Sequence, residues 1–158
     1  MRAARAAGEL GDGWITVGDG VHSEDSREAF RAAARSTGEA PNQLRVIVQS
    51  FVVVGSTTEA EEAARLWRFS PLGFGQLLDG PDPRDIQRRA EQQVKLEDVY
   101  ARWTVGEDPD VHVRAIEWLA EAGATDVFIH SGQPDQQRVI DFYAREVLPR
   151  VRKFWQAA

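Results

Sequence analysis

Leu44–Val54, LRVIVQSFVVV, is the stretch whose reading decides the fold. It is rich in β-branched residues and broken only by Gln49 and Ser50, so it reads as the strongest strand of the chain. It falls far short of the ~20 apolar residues a membrane span needs. Two shorter runs resemble it. Trp14–Val17 (WITV) reads as a strand buried on both faces, and Thr125–His130 (TDVFIH) as a third strand. Amphipathic segments separate them. Ala3–Leu10 reads as the end of a helix, stopped by Gly11-Asp12-Gly13. Ser23–Thr37 carries Phe30, Ala33 and Ala34 at helical spacing, with Gly38 closing it. Thr58, with Glu61 three residues on, reads as a capping box ahead of Ala60, Ala63, Ala64 and Trp67. Asp108 and Pro109 suit an N-cap and first helical position before the stripe Val113, Ile116, Leu119 and Ala120, and Gly123 ends that helix. Asp135–Lys153 is the last helix, with Ile140, Tyr143, Val147 and Val151 near one face. Between these segments, Phe69–Pro83 is a Pro/Gly-rich loop and Arg84–Arg102 a charged helix ended by Val105-Gly106.

Composition narrows the function classes. The 158 residues include no cysteine, which excludes disulfides, thiolate metal sites and a cysteine nucleophile. A formal net charge of −6 argues against a general nucleic-acid partner, and no run is long enough to cross a membrane. Met1–Leu10 has two arginines but no apolar core of a secretory signal, so the expected location is cytoplasmic. There is no GxGxxG opening a helix, no GxxxxGK[ST], no HExxH and no GxSxG, and three scattered histidines do not make a metal site.

Strands alternating with longer helices imply βαβ crossovers and a parallel sheet. Three strands are too few for an eight-stranded barrel, which takes ~250 residues. They also make a poor independent sheet. The chain opens inside what reads as a helix. Two readings follow: a C-terminal piece of a larger α/β protein, or a complete small α/β domain with further strands.

Four segments carry a resemblance to a known family. GELGDGWITVG (Gly8–Gly18) resembles the sixth strand region of the luciferase-like monooxygenase superfamily. AARLWRFSP (Ala63–Pro71), ARWTVGEDPDVHV (Ala101–Val113) and DVFIHSGQPDQQRVIDFYAREVLPRVR (Asp126–Arg152) are similar to its deazaflavin branch, the coenzyme F420-dependent glucose-6-phosphate dehydrogenase group above all. The resemblance implies an α/β fold that is an incomplete (β/α)8 TIM barrel. Residues 1–158 would be its C-terminal part, with strands six to eight and an insertion over 69–102. It implies an oxidoreductase moving hydride between F420 and an alcohol or aldehyde carbon. The family holds its cofactor mainly with the first five strands, where its catalytic histidine, tryptophan and glutamate also lie. This chain has none of those positions, so no catalytic residue is carried over and the chain is expected to be inactive alone. An FMN-dependent monooxygenase piece is the alternative within the family. A non-enzymatic remnant pairing through open sheet edges is the alternative outside it. The partners expected are a small-molecule substrate and either an N-terminal barrel half or a second copy.

In a barrel, sites lie at the C-terminal ends of strands. That singles out Thr16 and Val17 with the following loop GDGVHSED, in which relatives acting on sugar phosphates carry a lysine. Here His22 is its only possible cation, and Asp19 and Asp25 read as solvated. It also singles out His130-Ser131-Gly132 after the last strand. On the insertion, Arg68 and Arg89 are candidate substrate-binding groups through their planar donor forks; Trp67 and Phe69 could shape the rim, and Arg88 reads as surface charge. The substrate-binding candidates are thus Thr16, Val17, Arg68, Arg89 and His130. His112, early in its helix, is expected to be exposed, and Trp103, Trp118 and Trp155 to be core or interface. Arg145, Arg150, Arg152 and Lys153 suit a helix C-terminus.

Overall fold

A computed structural model describes residues 1–72 and 82–157, with side chains to Arg152. The central part of the Phe69–Pro83 loop and the side chains of Lys153 and Trp155 therefore lie outside the described residues. Along the chain run α1 (Arg2–Leu10), β1 (Gly13–Val17), α2 (Gly18–His22), α3 (Glu24–Ser36), β2 (Arg45–Val54) and α4 (Thr57–Leu66). Then come α5 (Pro83–Gln93), α6 (Leu96–Tyr100), β3 (Thr104–Gly106), α7 (Pro109–Glu121), β4 (Asp126–Ser131) and α8 (Gln136–Phe142). A π-helical turn, Tyr143–Val147, leads into α9 (Leu148–Ala157). β2 pairs in parallel with β1, Gly13 against Arg45 through Val17 against Gln49, and with β3, Val52 against Thr104 through Val54 against Gly106. β4 also pairs with β2. This is the α/β class with a parallel sheet. Among the described residues no helix is long and apolar enough to cross a membrane.

The chain divides into two compact units. One comprises Met1–Ser50, Val113–His130 and Val151–Ala158. In it α1 lies close against α3, because Gly8 has no side chain: a Cβ there would sit 2.3 Å from the Phe30 carbonyl oxygen. Trp14, Phe30 and Ala4 fill the space between, with the two rings 5.6 Å apart. Val21, Val48, Leu119 and Ala124 form a second core cluster. The turn after α7 carries Gly123 at φ +101, a conformation that favours glycine, and Thr125 then returns the chain to the sheet. Its backbone N–H donates to the Val46 carbonyl (2.8 Å), and its hydroxyl accepts from the Val46 N–H (2.9 Å). Arg45 forks onto Asp126 at 3.0 and 2.5 Å and, with Thr125, holds that carboxyl below its ordinary range.

The other unit comprises Phe51–His112 and Ser131–Arg150. Small residues on α4, Ala60 and Ala63, let it approach Val53, beside Tyr100, Trp103 and Val105. Ala64, Leu72, Ala90, Val94 and Val99 form its second cluster. Val52, Val53 and Val54 are all buried, each worth about 1.5–3 kcal/mol over exposure.

Several expectations are corrected. The strand Trp14–Val17 is not buried on both faces: Trp14 is covered, but Ile15 is 68% and Val17 51% exposed. The capping box is Ser56 with Glu59, two residues earlier than Thr58 with Glu61. Arg84–Arg102 is not one helix, since Val94 leaves α5 in extended backbone before α6 begins. Thr104–Gly106 is a strand rather than a helix end. The last helix is interrupted at its π turn, just ahead of Pro149. A proline there has no N–H to donate one turn back, and a widened turn absorbs the misfit.

Candidate functional site

In the first unit, the parallel register puts alternate residues of neighbouring strands on the same side. Val46, Val48 and Val127 pack toward the helices. The opposite side carries Ile15, Val17, Ile47 and Gln49 by pairing, and Phe128 and His130 by alternation along β4. This face is uncovered: Ile15, Val17 and Phe128 are each more than half exposed. At the C-terminal end of the face stand Val17, Gln49 and His130, two polar side chains beside an apolar one. Gln49 is a residue the sequence reading passed over. Its signal was there as the polar break in LRVIVQSFVVV, but its side became visible only through the pairing with Val17.

Thr16 lies on the other side of β1. A Cβ on Gly20 would fall 2.0 Å from its hydroxyl oxygen, so the threonine is packed against α2. Beyond it, the His22 ring stacks on Trp118 with centroids 3.4 Å apart. Its buried Nε2 has no hydrogen-bond partner among the described residues. Burial first and Arg27 second push His22 toward its neutral form, which makes it a poor replacement for a phosphate-holding lysine.

In the second unit, the ends of β2, β3 and the segment after β4 are tied by polar groups. The Gln133 carboxamide accepts from the Val54 N–H (2.7 Å) and donates to the Val54 carbonyl (3.1 Å), imitating one more strand residue. The Gly55 N–H donates to the Gly106 carbonyl at 3.1 Å. Glu59 accepts from the Ser56 N–H and from Arg138, and both lower its pKa, the backbone donor most. Arg138 also reaches Glu107 at 3.2 Å.

His112 is corrected from exposed to fully buried. Its Nε2 lies 3.0 Å from the Gly106 carbonyl, which can only accept, so Nε2 carries the proton. Nδ1 then accepts from the Tyr143 hydroxyl at 2.8 Å. Burial lowers the pKa of His112 and raises that of Tyr143, so both stay neutral at physiological pH. These bonds join α7, β3 and the π turn.

The insertion candidates are brought together only in part. Trp67 lies against Gly132, where a Cβ would meet its ring at 2.8 Å, and packs edge-on against Phe51. Arg68 donates from Nε to the Val94 carbonyl at 2.7 Å, fixing the end of α5. Arg89 reaches the Asp85 carbonyl at 3.5 Å, and Arg88 pairs with the Asp85 carboxylate. Between α4 and α5 lies a groove of about 460 Å³, lined by Leu66, Phe69 and Ile86 among apolar residues, with Arg65, Arg68 and Glu91. Among the described residues no group of histidine, aspartate and glutamate is arranged to hold a metal ion.

A family model described as luciferase-like monooxygenase matches residues 1–126. An F420-dependent hydroxymycolic acid dehydrogenase of Mycobacterium tuberculosis is 40% identical over 151 residues, 96% of this chain and 40% of that protein. An F420-dependent glucose-6-phosphate dehydrogenase of Beutenbergia cavernae is 32% identical, over 95% of this chain and 46% of the relative. Among solved structures, an F420-dependent secondary alcohol dehydrogenase in complex with an F420–acetone adduct superposes with a TM-score of 0.79 at 23% identity. That match covers 94% of this chain and 45% of the other. The chain thus spans less than half the length of the curated relatives it matches.

Proposed function

The chain belongs to the luciferase-like monooxygenase family, and from that premise we propose that it supplies the C-terminal part of a coenzyme F420-dependent oxidoreductase barrel. The observation that carries this reading is 40% identity to an F420-dependent dehydrogenase along nearly the whole chain. The parent reaction is hydride transfer between the deazaflavin and an alcohol or carbonyl carbon. The part of this chain is to close one side of the pocket. Val17, Gln49 and His130 stand at the rim, where a neutral amide and an imidazole can orient a hydroxyl or carbonyl group of the substrate.

The residues present do not fit the cofactor by themselves. F420 is anionic, and the uncovered face of β1, β2 and β4 offers Ile15, Val17, Ile47, Gln49, Phe128 and His130, while Arg45, on the same side at the start of β2, is taken up by Asp126. No hydride step is therefore assigned to this chain alone. It acts once the remaining strands cover the face.

The test is a fluorescence titration with oxidised and reduced F420. One sample is the chain alone, and the other is the chain joined to the part of the hydroxymycolic acid dehydrogenase that it does not match. The expected result is no saturable binding alone, and F420 binding with turnover when joined. Tight binding by the chain alone would overturn the division of labour. A joined protein that takes FMN and refuses F420 would overturn the cofactor.

A further inference from the structure

The groove between the end of α4 and α5 is apolar, wet and cationic at once. Its volume of about 460 Å³ falls within the roughly 300–1,000 Å³ of small-molecule sites. Leu66 is 73% and Phe69 39% exposed, although both line it. Adjacent large apolar side chains left in water beside a cavity mark a binding surface more than scattered exposed residues do.

The charges of this unit point the same way. Arg84, Arg88, Arg138, Arg145 and Arg150 each hold a carboxylate. Arg65, on the groove, has no hydrogen bond or ion pair among the described residues. Arg68 spends only Nε on the Val94 carbonyl in its described contacts. The carboxylate lining the groove, Glu91, accepts from Gln87 at 3.0 Å. Two guanidinium groups against one carboxylate leave a surplus of one positive charge over an apolar trough.

We propose that this groove binds an amphiphilic monoanion, an acyl carboxylate, with its headgroup at Arg65 and Arg68 and its chain along Leu66, Phe69 and Ile86. A guanidinium fork matches the two oxygens of a carboxylate. The alkyl chain covers side chains that water now touches, which favours binding in proportion to the apolar area removed from water. The site is independent of hydride chemistry and needs no cofactor.

Isothermal titration of the full chain with decanoate, kept below its micelle concentration, tests the assignment. Saturable one-site binding is expected, with decanol at least about fivefold weaker because it brings no charge. Arg65→Gln should weaken decanoate about fivefold, and Leu66→Glu about tenfold or more. Both positions are exposed, so the melting temperature should stay unchanged and report that the fold is intact. Ile15→Glu, on the uncovered sheet face of the other unit, should leave decanoate binding as it was. Equal affinity for decanol would remove the role of the arginines. Binding that survives Leu66→Glu or disappears with Ile15→Glu would place the ligand elsewhere. The absence of saturable binding would end the proposal.

Discussion

β2 lives in two environments. Its last three residues, Val52, Val53 and Val54, are between 0 and 3% exposed. Its first half is different: Val48 is buried, but the paired neighbours on the opposite side include Ile15 and Val17, which water reaches freely. A parallel strand of one composition is therefore a finished core at one end and a half-covered sheet at the other. Parallel sheets are stable when both faces are covered. The difference teaches where the chain covers both sides of its own strand and where it leaves one side in water.

The finished end should be the sensitive one. His112 has no exposed surface and satisfies Tyr143 and the Gly106 carbonyl together. In His112→Ala, the buried Tyr143 hydroxyl and the half-buried Gly106 carbonyl lose their partner and a cavity opens, so urea unfolding should report a loss of about 3 kcal/mol or more. A loss under ~1 kcal/mol would mean that this region is no tighter than the bare sheet face, and the contrast would fail.

Gln133 gives the next largest effect. It is 6% exposed, and its amide answers both the N–H and the carbonyl of Val54. Gln133→Leu keeps the volume and removes both bonds, for an expected cost of about 2 kcal/mol. Hydrogen exchange at the Val54 amide should accelerate in the same variant. An unchanged rate would show that another group protects it.

How much of this contrast could be read from the residues alone depends on how local the cause is. β2 was legible because the eleven residues Leu44–Val54, with so many β-branched side chains, have few alternatives. The glycine ends of α3 and α7 were legible because positive φ is a local demand, met at Gly38 and Gly123. β3, three residues long, carries too little pattern to outweigh the helical segment before it. The capping box slipped by two because Ser56 and Thr58 each have an acid three residues on. The burial of His112 was not legible, since Tyr143 is 31 positions away and the Gly106 carbonyl leaves no trace in sequence. For the candidate site, Val17 and His130 were accessible through the strand-end rule. Gln49 was not, because its side of the sheet depends on register. Thr16 is packed on Gly20 and Arg68 spends its Nε on the Val94 carbonyl, contacts that position in the sequence does not show.

Acid should also separate the two ends. Burial lowers the pKa of His112 in the folded protein, so the unfolded chain takes up the proton first as pH falls. Stability is then whole above about pH 6.5, the ordinary histidine value, and is lost progressively below it. Protonation also turns Nδ1 from the acceptor of the Tyr143 hydroxyl into a donor. His22 is shifted in the same direction by burial and Arg27, and adds to the loss. Melting between pH 8 and pH 5.5 should show the decline, and His112→Gln should remove most of it. A decline that persists in that variant and vanishes in His22→Gln would move the acid-sensitive point to the half-covered unit.

The smallest effect on stability belongs to the bare face, and it carries the most information about the fold. Phe128 is 54% and Ile15 68% exposed, so neither has much burial to lose. Phe128→Ser and Ile15→Lys should change unfolding free energy by no more than about 0.5 kcal/mol, as surface substitutions do. Their consequence lies in association. An exposed apolar sheet face beside a strand edge invites other strands, and a lysine there blunts it. Sizing chromatography of the chain alone should show less self-association in both variants. In the joined protein of the F420 titration the same substitutions would sit inside the barrel, where an unpaired lysine is costly, and should lower stability by several kcal/mol. A substitution that is harmless in one context and damaging in the other is what a face awaiting its covering layer requires. Equal tolerance in both would mean that the face stays in water in the assembled protein as well.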